Sequence, residues 1–263
     1  MERIEKEKTM KNKLLKGVLA SFALTVGGIA NADVVYLDSD AGNPWGETTN
    51  EAALDGVFGA GNWTDSTFES INVTNLFSSA NDFIYLEGSD LNADALELFI
   101  NTNSTAMQDW VFGGGRIFIN AAPNEGDGMD FGFGVSLHYP VYDNDVYGVN
   151  PAHAIFEGPY GSTGSNFQGT YFSHGAVSGL EINALIVDEL TSDIVLGDMF
   201  YGTGYAVFGG MTTSNFQTPN AFELRQNILH YATNVQTTDV PEPSTLVIFS
   251  LGLLGLASRK YKK

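Results

Sequence analysis

Apolar residues cluster along this chain in short blocks bounded by turn residues, and those blocks predict its elements. Val34-Val35-Tyr36-Leu37, closed by Asp38, reads as a first strand. Glu47 to Phe58 has helix-compatible spacing, with Ala52, Ala53, Val57 and Phe58 apolar. Phe83-Ile84-Tyr85-Leu86, between Asp82 and Gly88, predicts a buried strand. Helical spacing follows over Asp94 to Ile100 and again over Thr105 to Phe112, and Gly113-Gly114-Gly115 is placed to stop it with a left-handed cap. Arg116 to Asn120 returns as a strand, which completes a βαβ unit.

The second half is richer in glycine and aromatic residues. It predicts strands over Gly169 to Ser173, Ala184 to Asp188, Asp193 to Met199 and Tyr205 to Gly209, the last two joined by a hairpin loop over Phe200 to Gly204. Phe222 to Tyr231 closes the domain as an amphipathic helix. Runs that are apolar on both faces suit a buried parallel sheet. The expected class is therefore α/β, a mostly parallel sheet flanked by helices. A signal helix is expected before it and a hydrophobic helix after it.

Both ends carry patterns of another kind. Lys11, Lys13 and Lys16 precede an apolar run from Gly17 to Ile29, and Ala30-Asn31-Ala32 supplies small residues at Ala30 and Ala32. That order predicts a secretory signal peptide over residues 1–32, cut before Asp33 by signal peptidase, with Met10 as an alternative start. At the other end, Pro241 and Pro243 make a stiff, non-helical strip around Glu242. The apolar run Leu246 to Ala257 behind it spans roughly 18 Å as a helix, against a hydrocarbon core of about 30 Å. It is short for a permanent anchor and suits a transient one. Arg259, Lys260, Lys262 and Lys263 would keep that end cytoplasmic.

These end segments hide the charge of what lies between. Of 12 Lys and Arg, only Arg116 and Arg225 fall within residues 33–238, against twenty-six acids, a formal charge of −24 for the expected exported domain. Such a field repels nucleic acid and anionic membranes and attracts cations. The chain has no cysteine, which removes disulfides and any thiolate nucleophile.

Pro241-Glu242-Pro243, the short apolar helix and the basic cluster, paired with a signal peptide, resemble the PEP-CTERM sorting signal of Gram-negative bacteria. The resemblance implies that an exosortase reads residues 239–263 and removes or transfers the tail during export. It also implies a place at the cell surface or outside it, and a link to exopolysaccharide and biofilm.

Within residues 33–238, the run from Asn81 to Asn120 with its Gly-Gly break, His153-Ala154-Ile155-Phe156-Glu157-Gly158, and Tyr201 to Gly210 followed by Asn227-Ile228-Leu229 resemble glutamine-amidotransferase-like, flavodoxin-like domains. That resemblance implies a three-layer scaffold. It does not imply the activity, because Ala121 and Ala122 stand where the family has its cysteine, and Gly210-Met211-Thr212 where its His and Glu are expected. No amidotransferase catalytic residue is therefore expected.

Other chemistry is sparse. Among His138, His153, His174 and His230, His174 is the most site-like, flanked by Ser173 and Gly175 at a strand end. Asp127 with Asp130, and Asp143-Asn144-Asp145, could gather calcium through oxygen ligands without EF-hand spacing, or serve a glycosidase as a carboxyl pair. Trp45, Trp63 and the tyrosine-rich loops offer faces on which sugars stack. Three functions follow: a non-catalytic exported structural or binding component, which needs nothing the chain lacks; a carbohydrate-active hydrolase using paired carboxylates; and a calcium-dependent carbohydrate-binding module.

Overall fold

The computed structural model describes residues 33–124 and 127–235. The signal segment with Ala30 and Ala32, and the C-terminal segment with Pro241, Glu242 and Pro243, lie outside the described residues.

The first half contains the predicted strands and helices and, between them, a strand over Trp63–Thr67 and a helical turn over Val73–Leu76 that the pattern did not predict. β1 (Asp33–Asp38), α1 (Thr49–Phe58), β2 (Trp63–Thr67), the single turn α2 (Val73–Leu76), β3 (Asn81–Glu87), α3 (Ala93–Phe112) and β4 (Arg116–Asn120) follow in order. The two helical stretches around Asn101–Thr105 are one helix. Thr102 Oγ1 and Asn103 Nδ2 donate to the carbonyls of Leu98 (2.7 Å) and Phe99 (2.9 Å), so these polar side chains bond along the helix instead of breaking it. Gly113 ends α3 in the right-handed region, and it is Gly114, at φ +118°, that supplies the positive φ.

The second half is strand-rich: β5 (Met129–Gly132), β6 (Val135–His138), β7 (Asp143–Gly148), the small hairpin β8 (Glu157–Gly158) and β9 (Gly161–Ser162), β10 (Asn166–Ser173), β11 (Ala176–Gly179), β12 (Asn183–Asp188), β13 (Ile194–Tyr201), β14 (Gly204–Gly209), β15 (Gln217–Thr218) and the closing helix α4 (Ala221–Asn234). The expected five-residue loop before Tyr205 is a tight turn, because β13 pairs out to Tyr201↔Gly204.

The main sheet has 13 strands, with path β15-β10-β7-β12-β13-β14-β4-β3-β1-β2 and β11, β6 and β5 branching from β13. This corrects the expectation of a mostly parallel, flavodoxin-like sheet. Only β2-β1-β3-β4-β14 is parallel, and the remaining eight pairings are antiparallel. The physical reason lies in the connections. Parallel neighbours need a crossover helix, and after α3 the chain makes no further helix of more than one turn until α4, so its strands return by turns.

Alternation along the parallel strands builds two cores. Val35, Leu37, Ile84 and Leu86 face α3, while Val34, Tyr36, Phe83 and Tyr85 face α1 and α4. No helix of the described residues is long and apolar enough to cross a membrane.

Candidate functional site

The carboxyl ends of parallel strands are where the loops of an open sheet gather and where ligands commonly bind. Here the strands β1, β3, β4 and β14 deliver Asp38, Glu87, Asn120 and Gly209 to one edge. Each closes an apolar run, and that placement buries polar side chains that have to be satisfied.

Glu87 is the hub. Its carboxylate, 1 % exposed, accepts from Tyr85 Oη (2.5 Å), Asn50 Nδ2 (3.0 Å), the Ser89 amide (3.0 Å), Ser89 Oγ and Asn120 Nδ2 (3.1 Å). Asn120 also donates to the Met211 carbonyl at 2.8 Å and accepts the Met211 amide at 3.1 Å, which clamps the chain after β14 to the end of β4. Arg225, rising from α4, donates to Tyr85 Oη (2.9 Å) and to the Thr212 carbonyl (2.8 Å) and lies 5.9 Å from the centroid of Phe118. A buried cation and a buried anion are thus linked through one tyrosine.

Around this hub several buried atoms have no hydrogen-bond partner among the described residues: Tyr36 Oη, Trp45 Nε1, Asn50 Oδ1, Asn92 Nδ2, Thr213 Oγ1 and Arg225 Nε. Burial, with the neighbouring Asp65, Glu51 and Glu87 charges, raises Asp38 to about 7. Burial raises Glu51 as well. The edge is therefore desolvated and short of partners.

Above it stands an aromatic mouth. His174, 6 % exposed, is ringed edge-on by Trp45 (4.6 Å between centroids), Tyr142 (5.0 Å) and Tyr171 (5.2 Å). Its Nδ1 bonds the Pro123 carbonyl at 3.1 Å, so the ring proton sits there and Nε2 is left as an acceptor. Burial lowers the His174 pKa and keeps the ring neutral at pH 7. Tyr142 and Tyr171 are 47 % and 45 % exposed. Trp45, Asp90 and Tyr171 all hold positive φ (56°, 53° and 59°), a left-handed geometry that costs energy for such side chains and concentrates at functional sites.

The other sequence-predicted residues disperse. Ala121 and Ala122 are fully buried behind Glu87, with the Ala122 amide bonded to Ser89 Oγ at 3.0 Å. Met211 and Thr212 contribute backbone to the hub, while the Gly210 carbonyl accepts the His174 amide at 3.1 Å. His138 bonds Ser178 Oγ (2.6 Å) across β6 and β11, and His230 packs 5.9 Å from Tyr160 on α4. His153 lines a separate cavity with Asp198 and Tyr205. Asp130 is used locally by the Gly132 amide (2.8 Å), Asn144 Oδ1 by the Tyr171 amide (2.8 Å) and Asp143 by Ser173 Oγ (3.1 Å). Asp143 meets Asp188, which sequence reading did not pair with it. Burial, with the Asp188 charge, raises Asp143 to about 6, while donors in the 188–191 turn outweigh the burial of Asp188 and lower it. Among the described residues no group of three or more His, Asp or Glu converges as a metal set. Sequence reading also missed Glu87, Asn120, Asn50 and Arg225. The one signal for them was a polar residue closing each apolar run, as in Phe83 to Glu87.

With the geometry in place, comparison with known proteins adds the address. Residues 239–263 match the PEP-CTERM protein-sorting motif. This chain carries an exosortase sorting signal. The motif marks a protein that is processed by an exosortase and placed at the cell envelope or outside it. No curated protein matches the chain.

Among solved structures, a β-galactosidase from Bacillus circulans sp. alkalophilus is 12 % identical, with TM-score 0.47 over 76 % of this chain and 30 % of its own. A cold-adapted β-galactosidase from Rahnella sp. R3 is 13 % identical (TM-score 0.48; 84 % and 34 %). An exo-β-1,4-mannosidase from an Opitutaceae bacterium is 12 % identical (TM-score 0.46; 77 % and 36 %). This chain spans about a third of the length of each. The amidotransferase-like, three-layer scaffold is overturned by the sheet itself, whose pairings beyond β14 are antiparallel.

Proposed function

We propose that this chain is an exported, exosortase-processed component of the cell surface or extracellular matrix of a Gram-negative bacterium, and that its domain binds carbohydrate at the mouth around His174. In this reading signal peptidase cuts after Ala32, residues 33–238 form the delivered domain, and residues 239–263 contact the membrane only until the exosortase acts on Pro241-Glu242-Pro243.

The observation that carries the binding site is the grouping of Trp45, Tyr142 and Tyr171 on a neutral, buried His174, over a floor of buried polar atoms without partners. Sugar rings stack their C–H faces on aromatic rings and satisfy such donors and acceptors with hydroxyls. Exopolysaccharide is the partner that fits an exported protein of this charge, since a neutral glycan meets no repulsion from a domain of formal charge −24.

Binding is favoured over hydrolysis by the state of the carboxyl groups. Both Glu87 oxygens are occupied by donors from the protein. Asp143 and Asp188 are likewise taken up by donors from the protein, Asp143 by Ser173 Oγ and Asp188 by the Leu190 and Thr191 amides and Thr191 Oγ1. The deciding experiment is affinity electrophoresis and calorimetry of the purified protein against exopolysaccharide from its host. Tyr142→Ala and Tyr171→Ala should each weaken binding by tenfold or more with an unchanged melting temperature. Absence of binding, or affinity untouched by either change, would refute the assignment.

A further inference from the structure

A second cavity lies on the sheet away from that mouth. It holds about 290 Å³ and is framed by β12, β13, β14, the 150–153 turn and α4. Its polar centre is Asp198, 5 % exposed on β13. Strand register sets Asn183 of β12 directly beside Asp198. Tyr205 of β14, 1 % exposed, donates its hydroxyl to the Asp198 carboxylate. The walls are aromatic: Tyr205 and Tyr231 meet edge-on at 5.9 Å, His153 lies 4.7 Å from Tyr231, and Phe200 packs 5.1 Å from Tyr205 while remaining 47 % exposed at the rim.

The charge balance of this cavity is one-sided. Between residues 33 and 238 the permanent cations are Arg116 and Arg225. Arg225 is committed to Tyr85 and the Thr212 carbonyl, and Arg116, which pairs with Tyr205 by strand register, donates to the Val235 carbonyl at 3.4 Å. His153 accepts the Ile155 amide on Nδ1, and burial lowers its pKa, so at neutral pH it adds no positive charge. Asp198 is consequently a desolvated carboxylate with neutral neighbours, and burial raises its pKa. A negative group among aromatic faces is complementary to an organic cation, which gains an ion pair and ring contacts together.

We propose that this cavity is a binding site for a small organic ammonium, with an amino-sugar unit bearing a free amine as the class it fits. The ammonium pairs with Asp198, the Asn183 and Asn150 amides serve ring hydroxyls, and Tyr231 and Phe200 flank the sugar body. The volume is near the lower bound for ligand pockets, a size suited to a single sugar unit rather than to a polymer segment. The site is independent of the mouth at His174, and its success or failure leaves the proposed function untouched.

Calorimetric titration of the purified protein with glucosamine, N-acetylglucosamine and glucose tests this. Glucosamine should bind saturably, with N-acetylglucosamine and glucose at least tenfold weaker. Asp198→Asn should weaken glucosamine at least tenfold, and Tyr142→Ala at the mouth should leave it unchanged. Glucosamine that does not bind, that is matched by N-acetylglucosamine, or that is indifferent to Asp198→Asn overturns the proposal. Should Asp198→Asn fail to fold, Phe200→Ala at the exposed rim decides: it should weaken glucosamine several-fold, and an unchanged affinity overturns the site.

Discussion

Arg225 donates to the hydroxyl of Tyr85 at 2.9 Å, although the two lie 140 residues apart, and that hydroxyl donates onward to Glu87. A helix near the end of the domain is in this way tied to the carboxyl end of β3 through groups that are all about 1 % exposed or less. Because a charge buried in such surroundings depends on every partner, the relay can be tested one member at a time.

Tyr85→Phe keeps the ring stacked on Phe118 at 4.6 Å but leaves Arg225 Nη1 without its acceptor and Glu87 without one donor. The expected loss is about 1 to 3 kcal/mol of unfolding free energy. Arg225→Met removes the cation and leaves Glu87 as an uncompensated buried charge, with an expected loss of about 3 to 5 kcal/mol. Urea denaturation monitored by tryptophan fluorescence measures both, and two equal losses would mean that the relay is not graded in this way.

Asp38 sets a pH dependence. Its folded pKa, raised to about 7 by burial and by Asp65, Glu51 and Glu87, lies above the unfolded value near 4. The folded state therefore holds a proton that the unfolded state has released, and this contribution is present at low pH and lost as pH rises toward 7. Asp38→Asn, a neutral stand-in for the protonated acid, should melt higher than wild type at pH 8 and within a degree or two of it near pH 4. Melting curves across that range check the sign.

Gly210 marks a close approach of two chains. A Cβ there would fall 1.9 Å from the Gly175 carbonyl oxygen, beside His174, whose amide bonds the Gly210 carbonyl at 3.1 Å. Gly210→Ala should cost at least about 1 to 3 kcal/mol, since backbone rather than a mobile side chain has to move. It should also displace His174 from its ring of aromatics. Melting temperature and glycan affinity should fall together.

Replacing Pro241-Glu242-Pro243 by three alanines should leave the domain folded and its melting temperature unchanged, while the C-terminal tail is retained and the protein accumulates in the membrane fraction. Mass spectrometry of the C-terminus in a host with its exosortase reads the result. Identical processing of wild type and variant would remove the assigned role from these three residues.

Much of the first half was legible because its strands are buried on both faces. Phe83 to Leu86 and Ile117 to Ile119 announce themselves as apolar runs that no surface element carries. The second half was harder for a definite reason. β5, β6 and β11 have four residues each, β8, β9 and β15 have two, and glycines interrupt them, so the period of two has no room to show. The mouth was legible only in fragments: Trp45 as a ring suited to sugars and His174 as a histidine flanked by small polar residues. Their contact, at 4.6 Å, joins positions far apart in the chain.

What the sequence determined by itself was the address and the charge. A sorting motif is read as a contiguous stretch, and residues 239–263 carry it in covalent order, so no folding is needed to recognise it. The acidity of residues 33–238 is likewise a matter of counting. The tertiary structure decided everything that depends on distant residues meeting. Parallel pairing aligned Leu86 with Ile119 and Ile119 with Phe208, which brought Glu87, Asn120 and the chain at Met211 to one edge. Antiparallel pairing set Asp198 beside Asn183 and above Tyr205. Register between strands is a property of the sheet as a whole, and a local pattern specifies which face a residue takes but not which residue it faces.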